Sequence, residues 1–97
     1  MNTVPKIDDQ LKKAVSEYYE WQGDRKAKPV RFVVNKMPGR YKMLLARFTD
    51  EQGNKMSSLM EYQEWKDGHW DVTEIFVSER EDEDRLVKSF EESEEYF

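Results

Sequence analysis

The chain has no cysteine. Disulfide staples, thiolate metal sites and a cysteine nucleophile are therefore excluded, and the composition fits a reducing compartment. No run approaches the ~20 apolar residues of a membrane span. The opening Met1-Asn2-Thr3-Val4-Pro5-Lys6 lacks the apolar core of a secretory signal. A soluble, cytoplasmic protein is expected. There is one histidine, His69, and no serine-and-carboxylate arrangement is visible around it, so it has no positioned partner for general-base work. The chain carries no glycine-rich phosphate loop, no HExxH and no EF-hand loop. These absences point away from an enzyme, and no cofactor or metal is expected.

What is present is charge and aromatic bulk. Residues 1–97 make one small domain. Charged residues reach 38% and hydrophobic ones 37%, against a usual charged share of ~25%. An aromatic content of 13% is enough to build a thin core and argues against disorder. The net charge of −5 hides a division between halves. Met1 to Lys55 holds 12 basic and seven acidic residues, whereas Met56 to Phe97 holds four basic and 14 acidic ones. Such asymmetry points to an electrostatically steered partner.

Hydrophobic spacing predicts a helix over Lys6 to Gln22, with Ile7, Leu11, Ala14, Val15, Tyr18 and Gln22 on one stripe. Thr3 is its expected N-cap and Gly23 its stop. Val30 to Asn35 is β-rich, Met37-Pro38-Gly39-Arg40 reads as a type II turn, and a second strand follows from Arg40 to Thr49. Asp50 to Asn54 suits a three-residue loop with Gly53 in the left-handed region. Met56 to Ser78 reads as a hairpin turning at Asp67-Gly68. A two-residue type I′ loop there sets Trp65 opposite Trp70, Glu64 opposite Asp71, Tyr62 opposite Thr73, Glu61 opposite Glu74 and Met60 opposite Ile75. Ser78 and Glu81 match a capping box, opening a helix to about Ser93 with Leu86, Val87 and Phe90 as its apolar seam. The expected fold is α+β: a helix, a four-stranded antiparallel meander and a C-terminal helix.

Carried across the sheet, these registers gather Val33, Leu44, Ala46, Phe48, Met56, Met60, Tyr62, Ile75 and Val77 on one face. Val30, Phe32, Val34, Tyr41, Met43, Leu45, Leu59, Trp65, Trp70, Val72 and Phe76 fall on the other. Both faces are apolar, so both need cover. The first helix can supply one. The second needs the C-terminal helix, a ligand or a twin subunit, so a homodimer is one expectation. A single bulge near Thr73 would rearrange half of this sorting.

Two readings of function follow. The first rests on acid. Glu61, Glu64, Asp67, Asp71, Glu74, Glu79, Glu81, Asp82, Glu83, Asp84, Glu91 and Glu92 would form a continuous negative surface, with Trp65 and Trp70 as a desolvated anchor if left uncovered. Alternate strand residues lie about 6.6–6.8 Å apart, so such a line of carboxylates approaches the charge density of a phosphate backbone. Facing carboxylates and acid at a helix C-terminus both cost stability, which suggests that the charge serves another molecule. In size and acidity the chain resembles the small phage-encoded nucleic-acid mimics, including anti-CRISPR and anti-restriction proteins. That resemblance implies a non-enzymatic inhibitor that binds the basic nucleic-acid groove of a protein or nucleoprotein complex. An immunity protein that plugs a toxin would use the same acidic logic. The alternative is direct single-strand binding through Arg25, Lys26, Lys28, Arg31, Lys36, Arg40, Lys42 and Arg47, interleaved with Phe32, Tyr41 and Phe48. The ending Glu94-Glu95-Tyr96-Phe97 resembles the acidic recruitment tails of single-stranded-DNA-binding proteins. The plain counter-reading is that the aromatics are core and the acid keeps a thin-cored domain in solution.

Overall fold

The computed structural model describes residues 7–20, 27–33 and 42–91. Helix α1 spans Asp9–Glu20, strands β1 to β4 span Lys28–Val33, Met43–Thr49, Lys55–Glu64 and Trp70–Glu79, and a 3-10 turn at Arg80–Asp82 leads into α2, Glu83–Glu91. The strands form one antiparallel sheet in the order β1-β2-β3-β4. This is the α+β meander that the spacing predicts.

Asp8 caps the start of helix α1. The Asp8 carboxylate accepts the Leu11 backbone N–H at 2.8 Å, satisfying one of the free donors at a helix start. Thr3, Gln22, Gly23 and the Met37–Arg40 turn lie outside the described residues. The buried stripe is Leu11, Val15 and Tyr19, with Ile7, Ala14 and Tyr18 at its margin. Tyr19 belongs to the stripe because its ring stacks on Phe48 at 4.4 Å and its hydroxyl donates to Glu74 at 2.7 Å.

Both tight turns place glycine at positive φ, Gly53 at +85° and Gly68 at +92°. At the first, the Asp50 carboxylate accepts the N–H groups of Gln52 and Asn54, and the expected three-residue loop is formed. The second differs from expectation. A type I′ turn needs positive φ at both central residues, and Asp67 has negative φ. Instead the Gly68 N–H donates to the Trp65 carbonyl and the Trp65 N–H to the His69 carbonyl, each at 3.0 Å. This is a type I turn followed by a glycine bulge.

The extra loop residue slides β4 by one position. Glu64 faces Trp70, Gln63 faces Asp71, Tyr62 faces Val72, Glu61 faces Thr73 and Met60 faces Glu74. The carboxylate pairs Glu61/Glu74 and Glu64/Asp71 therefore do not form, nor does the Trp65/Trp70 pair. A bulge at Ile75 absorbs the slip, so Leu59 faces Phe76 and Met56 faces Glu79, as counting from a two-residue loop requires.

The slip moves Trp70 and Val72 onto the face of Met60 and Tyr62. On β1, Arg31, Phe32 and Val33 face Leu45, Leu44 and Met43, one position off the register expected from a two-residue Pro38-Gly39 loop, which puts Phe32 there and Val33 on the other side; a bulge at Val30 then shifts Lys28 and Pro29 by one more. On the α1 face, Phe32, Tyr62 and Trp70 have ring centroids 5.0 to 6.0 Å apart and join Leu44, Ala46 and Met60. On the opposite face Val33, Met43, Leu45 and Leu59 pack on Val87 of α2, with Val30, Ile75, Leu86 and Phe90 around them. The C-terminal helix thus supplies the second cover, and no twin subunit is needed for it. The expected Ser78–Glu81 capping box is absent. Ser78 is still in β4, and its hydroxyl donates to the Glu79 carbonyl. Among the described residues no helix is long and apolar enough to cross a membrane.

Candidate functional site

The acidic residues divide by what they touch. Glu83 is drawn inward. It is 8% exposed and accepts both Nε and Nη2 of Arg47 at 2.8 and 2.7 Å, and the Ser57 hydroxyl at 2.6 Å. The Arg47 and Ser57 bonds hold its carboxyl down at about 2, with the Arg80 charge adding to the effect. Glu74 accepts the Tyr19 hydroxyl. Glu91, at the end of α2, meets Arg31 of β1 at 3.0 Å, which offsets its adverse place on the helix dipole. Glu83, Glu74 and Glu91 are therefore spent within the fold. Trp70 is also removed from the surface, at 5% exposure. Glu92 lies outside the described residues.

The exposed acid falls into two groups, one at each end of β4. At the hairpin end stand Glu61, Glu64, Asp67 and Asp71. Here Trp65 is 43% exposed, stacks on the His69 ring at 5.7 Å and donates its indole N–H to Asp71 at 2.7 Å. Asp67 accepts the His69 backbone N–H and meets its Nδ1. These contacts hold the Asp67 carboxyl below the usual range. Trp65 is thus a presented aromatic fixed by an acidic neighbour, while His69 is used to shape the turn.

At the other end β4 runs into the 3-10 turn. Glu79 precedes that turn with extended backbone and no side-chain cap. The tight winding brings Glu79, Glu81 and Asp82 together, with a carboxylate oxygen of each within 4.8 Å of the others. The hydrogen bond and charge of Glu81 push the Glu79 carboxyl up, the mark of like charges crowded together. Carboxylate oxygens are donors for hard cations such as calcium. Asp84, exposed in the first turn of α2, extends this corner. Along β4, Asp71 of the first group and Glu79 of the second are eight residues apart, about 27 Å at 3.4 Å per residue. Between them Phe76 and Val77 are 48% and 40% exposed. Beside β4 a shallow open groove of about 480 Å³ is lined by Ala14, Glu17, Tyr18, Trp70, Asp71 and Val72.

The basic half offers less than its sequence suggests. Phe32 and Phe48 pack in the α1-face core, so their rings are committed to packing rather than to bases. Arg31 and Arg47 are paired with Glu91 and Glu83. Lys28 and Lys42 are exposed, and Arg25, Lys26, Lys36, Arg40 and Tyr41 lie outside the described residues. Sequence reasoning missed the Arg47–Glu83–Ser57 cluster and the exposed Phe76–Val77 step. The first joins residues 26 and 36 positions apart; in the second, Phe76 and Val77 keep their expected faces but stay half-exposed. Comparison with protein families, curated proteins and solved structures returns no match.

Proposed function

We propose that this chain is a non-enzymatic binding protein that presents the acidic flank of β4 to a basic, nucleic-acid-binding surface of a partner protein or nucleoprotein complex, and blocks it. An RNA-guided nuclease complex in the cytoplasm is the kind of partner meant, as in the anti-CRISPR resemblance. The observation that carries this reading is the Glu79–Glu81–Asp82 corner. Its carboxylates crowd within 4.8 Å at a site where spacing them apart would serve solubility as well. Lysines and arginines that otherwise meet phosphates relieve that repulsion, and the surrounding negative field speeds encounter. The hairpin acids, up to about 27 Å away along the strand, extend the negative surface beyond that corner.

The test is displacement of a labelled DNA duplex from RNA-guided nuclease complexes and from basic DNA-binding domains. The protein is expected to compete, and to compete less as salt rises. Each exposed ion pair contributes modestly, and Glu79→Lys, Glu81→Lys and Asp82→Lys together are expected to weaken competition roughly 100-fold. Equal competition by the reversed variant contradicts the proposal. Direct binding of the duplex or of a single strand by the protein itself would instead support the alternative reading.

A further inference from the structure

The sheet has two edges, and they are built differently. Edge strand β1 carries Pro29, Lys28, Arg31 and a bulge at Val30, the usual means of discouraging a further strand. Edge strand β4 has a bulge of its own, at Ile75, but it is ten residues long and contains neither proline nor lysine. Among the described residues its only strand neighbour is β3. Phe76 approaches Phe90 on the α2 side at 5.4 Å. Val77, facing Ser58 in the ladder, points to the other side. Two half-exposed apolar side chains thus straddle one unpaired edge.

Charge decides what can lie there. The strand Trp70–Glu79 holds Asp71, Glu74 and Glu79 and no cation, and Glu81 and Asp82 follow at its end. Pairing with a second copy of β4 would bring Asp71, Glu74 and Glu79 of both strands together with no base in either strand, which opposes self-association. An extended segment alternating basic and apolar residues has the complementary pattern. Alternation sets its apolar side chains on the α2 side, over Phe76, and its lysines or arginines on the α1 side, where their stems lie over Val77 and their charges reach the Glu79–Glu81–Asp82 corner and the groove rimmed by Glu17 and Asp71. Main-chain pairing would supply affinity and the alternation specificity, as in other strand additions.

We propose that the partner contributes a basic extended segment that adds to β4 as a fifth strand. This rests on the acidic-surface reading above and specifies how that surface is engaged. The probe is an end-blocked peptide of ten residues alternating lysine and valine. Its control has two adjacent central residues N-methylated, which keeps every charge and removes a main-chain donor from each peptide edge.

The unmodified peptide is expected to bind in a fluorescence anisotropy titration and to slow hydrogen exchange at outward amides of Trp70–Glu79, but not of Lys28–Val33. The N-methylated control should bind about tenfold more weakly. Equal binding of the two peptides overturns strand addition and leaves the acidic-surface reading to the displacement titration. Failure of the unmodified peptide to protect β4 amides also overturns it. So does a dimeric mass by light scattering with β4 amides already protected, because a second copy would then hold the edge.

Discussion

Trp70→Ala is expected to cost about 3–5 kcal/mol, the usual loss for a large buried aromatic truncated in a core. Trp70 lies where β4 begins, 5% exposed, and holds Phe32 and Tyr62 against the α1 face. A small domain has only about 5–15 kcal/mol in total, so the variant should be largely unfolded well below the parent's melting temperature. Trp65→Ala, at the neighbouring exposed position, should stay within about 0.5 kcal/mol of the parent and act on partner binding instead. Urea unfolding followed by circular dichroism separates the two. A stable Trp70→Ala protein that fails only in binding would restore the two tryptophans as a joint surface anchor.

Glu83→Ala comes second in size. Breaking a buried ion pair costs about 3–5 kcal/mol when the remaining charge is trapped. Arg47 keeps 37% of its side-chain exposure, so solvent recovers part of this and about 2–3 kcal/mol is expected. Thermal melting should fall by roughly 10–20 °C, at about 4–8 °C per kcal/mol for a domain of this size. The same cluster sets an acid limit. An ordinary glutamate titrates near ~4.3, and Glu83 is held at about 2. A depressed carboxyl stabilises the fold fully above its unfolded value and loses that contribution as pH falls toward the folded one. Stability should therefore erode between about pH 4.3 and pH 2, and Glu83→Gln should flatten that limb. An unchanged acid limb in Glu83→Gln would show that other carboxylates set it.

The order of elements was legible because it depends on local signals: a helical stripe from Leu11 to Val15, β-rich runs, glycines where loops need positive φ, and Val87 and Phe90 on a short apolar seam. Which residues face which side was not. That sorting turns on one-position slips in the β1–β2 and β3–β4 pairings, the latter from the residue inserted at Asp67-Gly68, and on the bulges at Val30 and Ile75 that follow them. Asp-Gly is compatible with both turn types, and strand periodicity inverts with a single insertion. The acidic surface was legible in composition but not in detail. Glu74, Glu83 and Glu91 found partners far away in the chain, at Tyr19, Arg47 and Arg31. Two supposed burdens on the fold, the facing carboxylates and the unpaired helix end, turned out to be dispersed or offset. Mutual repulsion persists where chain winding forces it, at Glu79, Glu81 and Asp82.

That corner is also where the account is most directly testable. Glu81→Gln removes the charge that pushes Glu79 up while keeping side-chain size. Thermal melting and duplex displacement should be measured on the same preparation at neutral pH. A raised carboxyl pKa means that the folded state disfavours the charged form, so stability is lost as pH rises through it; relieving the repulsion should leave melting equal or higher and displacement weaker. A variant that melts lower, or competes as well as the parent, would contradict the view that these acids were brought together to meet a basic partner.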